Sequence, residues 1–294
     1  MKHTANFSDI TIIESVDAGK SGRRLADDIA AQIAASERNL TVEYRSVGDA
    51  NQFNAELKRL ADSTRFGRRR PMIHLECHGS AEGIHLESGE HIAWNDLKPR
   101  LIEINLASRC NLLVVMAACY GAHLIATLDL TDRAPCWGFF GPPEEVSVEQ
   151  LEHAYGPFYR SVISDKNPIE AAKKLLAPVD GHQQYLLMTA EVFFTELFAR
   201  YLAHNCLEQT LHARAHAMAQ KAIQENAPRK PGPGRMLRNL RKIQPSSFKK
   251  FAEGFFMVDL FPENAERFPV KYQEALAQAE KMAGIKLNVA RAIN

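Results

Sequence analysis

NLLVVMAACYGAHL, residues 111–124, opens as an uncharged apolar run, Leu112–Ala118, and stops abruptly at Cys119-Tyr120-Gly121. An apolar run of that length fits a strand buried on both faces, the pattern of central strands in a parallel sheet. Function on such sheets gathers at the carboxyl ends of the strands, which is where Cys119 stands. A second stretch matches it. PMIHLECHG, residues 71–79, reads as another strand and ends in His78-Gly79. The two strand ends offer a thiol and an imidazole that are 119 − 78 = 41 residues apart. A cysteine nucleophile with a separate histidine is the minimal equipment for covalent acyl transfer.

Around these two strands the pattern alternates. Asp9–Glu14 reads as a strand, Lys20–Ser36 as a helix, Leu40–Val47 as a strand and Asp49–Phe66 as a helix. Gly83–Leu86 and His91–Ala93 form a small hairpin, and Trp94–Ala107 reads as a helix with Asn95 as its N-cap. Beyond Cys119, Ala122–Leu130 reads as a helix, Ala134–Phe140 as a strand and Gly141–Glu145 as a loop. Ser147 and Gln150 have capping-box spacing for a helix running to about Ile163. Asn167–Leu176 follows as a helix with Pro168 at its first position, and Tyr185–Thr189 as a last strand. Strands alternating with helices predict an α/β fold with a mainly parallel central sheet. Later the pattern is helical: Glu191–Glu225, then a linker at Ala227–Gly234, then helices at Ser246–Phe256 and Asn264–Met282. The expected division is residues 1–190 as the α/β domain and 191–294 as a helical C-terminal extension.

Composition narrows the function classes. The 294 residues are 46% hydrophobic and 24% charged, ordinary for a soluble globular protein. A net charge of +1 favours neither nucleic acid nor a membrane surface. The start, MKHTANFSDITIIES, has no apolar core of a signal peptide. Glu191, Glu196 and Arg200 rule out Tyr185–Ala203 as a membrane span. Cys77, Cys110, Cys119, Cys136 and Cys206 are odd in number, irregularly spaced and without a CxxC pair, so neither a disulfide framework nor a zinc site is expected. Reduced thiols point to the cytoplasm. Gly19-Lys20-Ser21 sits where a P-loop would, but the glycine needed five residues earlier is Glu14. Nucleotide binding there is rejected.

His78-Gly79 and Ala118-Cys119-Tyr120-Gly121, each closing a buried-strand pattern, resemble the caspase-like cysteine peptidases, and within them the bacterial CHAT branch. The hairpin-like GIHLESGEHIAWNDL (residues 83–97) and the stretch from Trp137 to Leu175 extend the resemblance to about residues 9–190. The chain departs from the caspase signature at Ala117, where that signature has glutamine, and at Tyr120, where caspases often carry arginine. The resemblance implies a caspase-like three-layer sandwich and a cysteine endopeptidase that works without metal or cofactor. Cys119 would attack a peptide carbonyl and pass through a thioester, while His78 would take and return the proton. The N–H groups of Gly79 and Cys119 would face the oxyanion. The resemblance further implies a protein substrate, an activating or regulatory protein partner and a place in bacterial immunity, including antiviral defence.

Tyr120, Glu144 and Glu145 are the residues expected to shape the substrate pocket. Tyr120 in place of arginine argues against aspartate selection, and either acid would favour Arg or Lys. Glu76, on the strand face of His78, is a candidate to orient the imidazole. Two rival readings stand beside the peptidase. One is a non-catalytic interaction module on the same fold. The other is a nucleic-acid-associated adaptor using the basic segment 229–250, which carries eight Lys or Arg but few aromatic residues for stacking.

Overall fold

The computed structural model describes residues 7–16, 21–36, 38–165, 168–173, 185–225 and 231–292. The chain divides into two compact units, one of Met1–Leu128 with Ala134–Ala190, the other of Asp129–Arg133 with Glu191–Asn294.

The first unit is an α/β three-layer sandwich. Its strands are β1 (Asp9–Ser15), β2 (Thr41–Ser46), β3 (Pro71–Gly79), β4 (Gly83–His85), β5 (His91–Ala93), β6 (Leu113–Ala117), β7 (Gly138–Gly141) and β8 (Leu186–Thr189). Strand order is β2-β1-β3-β6-β7-β8, with β4 pairing β3, and β5 pairing β4. The pairs from β2 through β7 are parallel, and β8 runs antiparallel to β7. β1, β6 and β7 are buried along their whole length, which explains the unbroken apolar run of β6; β1 buries Asp9, Thr11, Glu14 and Ser15 among its isoleucines.

Helices α1 (Ser21–Ala34), α2 (Ala50–Gly67), α3 (Trp94–Ala107), α4 (His123–Ala126), α5 (Val148–Asp165) and α6 (Pro168–Lys173) complete the unit. Right-handed crossovers decide which face each covers. β1 to β2 steps one way along the sheet, whereas β2 to β3 and β3 to β6 step the other way. Helix α1 therefore lies on one face, where it packs on α5, and α2 lies on the other, where it packs on α3. The reversal falls between β1 and β3, the topological switch point where open α/β sheets bind ligands.

Several boundaries differ from the sequence expectation. Helix α3 starts at Trp94 with Ala93 as N-cap and no side-chain cap bond, so Asn95 lies inside the first turn rather than capping it. The helix expected over 122–130 is the single turn α4, and the strand expected from Ala134 begins at Gly138. The capping box does form: Ser147 N–H donates to Gln150 Oε1 at 2.7 Å and Gln150 N–H to Ser147 Oγ at 3.2 Å. The expectations for Lys20, Asn167, residues 174–176 and residues 227–230 lie outside the described residues.

The second unit is helical. The helical pattern over 191–225 is two helices, α7 (Ala190–Asn205) and α8 (Glu208–Gln224), interrupted at Cys206-Leu207. Helices α9 (Pro233–Lys242) and α10 (Gln244–Phe255) follow, then α11 (Asn264–Arg267) and α12 (Tyr272–Ala283). Pro269 separates the last two, where a single helix was expected. Phe194 is the hub of an aromatic core, with Phe248, Phe255 and Phe256 at ring-centroid distances of 5.1, 5.5 and 5.3 Å. Among the described residues no helix is long and apolar enough to cross a membrane.

Glu280 closes the end of this unit. Its carboxylate accepts from Arg291 at 2.6 Å, Lys286 at 2.8 Å and the Leu287 N–H at 3.1 Å. The Arg291 hydrogen bond, above the others, holds its pKa down at about 2. An unfolded glutamate titrates near ~4.3, so the stabilisation is complete above that pH and is lost as pH falls toward 2. Glu280→Gln is therefore expected to lower the melting temperature at pH 7. The gap to wild type should shrink in melts taken between pH 4 and pH 2. A gap independent of pH would contradict this role.

Candidate active site

The register of β3 and β6 brings the two strand ends together. Glu76 lies opposite Ala117, and two further residues along each chain reach His78 and Cys119. His78 is exposed near the carboxyl end of β3, and Cys119 is half-buried in the turn after β6. Gly79 is the point of contact. A Cβ there would lie 2.0 Å from the Cys119 carbonyl oxygen and 2.9 Å from its nitrogen. Only glycine lets the two main chains approach this closely.

The hairpin orients Gly79. Ser80 N–H donates to Gly83 O at 2.8 Å, so by the alternation of an antiparallel ladder the next pair, Gly79 with Ile84, is the non-hydrogen-bonded one. The Gly79 N–H thus points away from β4, toward the Cys119 side. Trp94, buried, donates its indole N–H to Ser80 O at 3.2 Å and pins the hairpin.

The Cys119 turn is also fixed. Tyr120 has φ +57°, left-handed backbone rare for a bulky residue. Its N–H donates to Glu144 O at 3.0 Å, and the Gly121 N–H donates to Ala118 O at 3.1 Å. From α5, the buried Tyr155 donates to Met116 O at 2.6 Å. The thiol of Cys119 sits between the main-chain groups of Val146, donating to O at 3.4 Å and accepting from N–H at 3.5 Å.

Glu76 does not orient His78. Its carboxylate is taken by Ser21 Oγ and faces His74 Nε2 at 3.4 Å. Burial pushes the Glu76 pKa up, but His74, Ser21 and Arg24 outweigh burial and leave it lowered. On neighbouring β1, Glu14 accepts the Gly22 N–H at 2.8 Å. The start of α1, where a P-loop would hold phosphate, is thus filled by two carboxylates of the protein itself.

Glu76 and Ala117 line a cavity of about 390 Å3 on the α1/α5 face, closed by Ser21, Arg24, Leu151 and Tyr155. Four carboxylates, Asp27, Asp28, Glu76 and Glu152, reach it against one guanidinium, Arg24, which pairs with Glu152 at 2.5 Å. The cavity begins two residues before His78 and Cys119 on the same face of their strands, roughly 6–7 Å from the pair. Tyr120, Glu144 and Glu145 do not line it; Glu144 and Glu145 are exposed. Sequence reasoning picked out Glu76 but missed Ser21 and Arg24, which reach the site only through the β1–β3 pairing.

The other four thiols are buried. Burial pushes Cys77 and Cys136 far up, and Cys206 up to about 11. Cys119 is the one that is only half-buried. Among the described residues no group of three His, Cys, Asp or Glu side chains is arranged to hold a metal ion. No protein-family model matches this chain, and no curated protein matches it.

Proposed function

We propose that this chain is a cysteine endopeptidase of caspase-like, CHAT-type character, with Cys119 as nucleophile and His78 as general base and acid. The observation that carries the reading is the contact of Gly79 with the Cys119 main chain. It puts a thiol, an imidazole and two candidate oxyanion donors at the carboxyl ends of adjacent parallel strands, one strand from the switch point. Cys119 attacks the peptide carbonyl as a thiolate, His78 protonates the leaving amine, and water then cleaves the thioester with His78 as base. The N–H groups of Gly79 and Cys119 stabilise the tetrahedral oxyanion. We place this activity in the cytoplasm, on a protein substrate and under control of a protein partner, as in bacterial immune systems. The basic helix α9 supports a nucleic-acid role weakly, since Arg241 is already paired with Glu208 and Leu237 and Leu240 are buried.

The cavity beside the pair supports a substrate preference. Its lining is acidic, and it is as far from Cys119 as an extended lysine or arginine side chain reaches. Peptides with Arg or Lys before the cut are the expected substrates. Glu76→Gln keeps the shape of the side chain and removes the charge. It is expected to lower kcat/KM for an arginine peptide about 10- to 100-fold relative to a leucine peptide, whereas Glu144→Gln and Glu145→Gln leave that ratio alone. Fluorogenic peptides varied at this one position test it. An unchanged Arg-to-Leu ratio in Glu76→Gln would remove the cavity from substrate selection.

A further inference from the structure

The main chain of residues 142–146 runs along the turn that carries Cys119. The Ala122 N–H donates to Pro142 O at 3.0 Å, and the Tyr120 N–H to Glu144 O at 3.0 Å. The next alternate residue, Val146, meets the thiol itself through both its N–H and its carbonyl. Residues 142, 144 and 146 thus each present a main-chain group to the turn of the nucleophile, around a bend at Pro143-Glu144. Both ends are anchored, at buried Gly141 in β7 and at the Ser147–Gln150 capping box.

This arrangement has chemical consequences. The S–H proton is directed to Val146 O, and no His78–Cys119 hydrogen bond exists among the described residues. The flanking bonds also hold Tyr120 in its left-handed conformation, of the kind that persists only where its surroundings over-determine it.

We propose that Pro142–Val146 is a closing strap: in place, its Val146 main chain caps the Cys119 thiol, and the thiol reacts only when the strap lifts. The proposal rests on Cys119 being the nucleophile of the function above, but it is tested without any cleavage assay. A peptidase assay that fails therefore leaves the result readable.

The first measurement uses the unmodified protein. Iodoacetamide labelling of Cys119 is followed by peptide mass spectrometry, and exchange of the Tyr120 and Ala122 amides by hydrogen–deuterium exchange, both over a range of sub-denaturing urea. One opening exposes all three groups, so the rates are expected to rise in parallel while Cys77, Cys110, Cys136 and Cys206 stay unlabelled. The second uses two glycines inserted between Glu144 and Glu145, which breaks the alternate pairing. Loss of these bonds is expected to speed Cys119 labelling about tenfold or more. Cys119 labelling in the wild type that is independent of amide opening would overturn the proposal. So would an unchanged rate in the insertion variant with its other thiols still protected. If the insertion exposes the buried thiols as well, the wild-type rates alone decide.

Discussion

Replacing Cys119 with alanine is expected to lower kcat/KM on a cleaved peptide by about 10,000-fold or more, because nucleophile and base act as a unit and loss of one forfeits the covalent route. His78→Ala is expected to cost nearly as much. General base catalysis by itself accounts for about 100- to 10,000-fold, and the thiol of Cys119 is already committed to Val146 O. Neither variant should unfold the protein: His78 is exposed and Cys119 half-buried in a turn. Melting curves beside the kinetics separate lost chemistry from lost fold. Cleavage by Cys119→Ala at the wild-type rate would end the assignment.

Gly79→Ala is the second large effect. The added methyl would lie 2.0, 2.9 and 3.0 Å from Cys119 O, N and C, main-chain atoms held just past the β3–β6 ladder, which closes at Glu76↔Ala117. The ends of β3 and β6 must part. Overpacking of this kind costs about 1–3 kcal/mol, and displacing an oxyanion donor costs about 100- to 1000-fold in rate. The expected result is a lower melting temperature together with that loss in kcat. Gly254→Ala is the control, since a Cβ there meets nothing within 4 Å. Wild-type turnover in Gly79→Ala would show that the two main chains need not touch for chemistry.

The fold was legible where burial is continuous. Leu112–Met116 is apolar, and Ile10–Ile13 and the run ending in His78 are mostly so, because both faces of their strands are covered, and their order implies the layers. His78 and Cys119 were legible for the same reason: polar residues that break off such runs mark strand ends. Local geometry was harder. Asn95 has the chemistry of an N-cap, yet helix α3 starts two residues earlier than that role requires. Arg133 belongs to the second unit through a bidentate pair with Asp259, at 2.9 and 2.7 Å, 126 residues away. No local pattern encodes that pairing. The strap was invisible because its bonds are main-chain, and a main-chain bond leaves no residue-type signature. The cavity needed the register Glu14↔Glu76, which brings α1 and its Ser21 and Arg24 over the end of β3.

The central claim is that Cys119 is a nucleophile activated by His78. It is tested most directly with a peptidyl acyloxymethyl ketone bearing arginine at its reactive end, the adduct being located by tryptic mass spectrometry. The account predicts a single adduct, on Cys119, formed slowly or not at all in His78→Ala. An adduct that forms equally fast without His78, or none on Cys119 in the wild type, would contradict it.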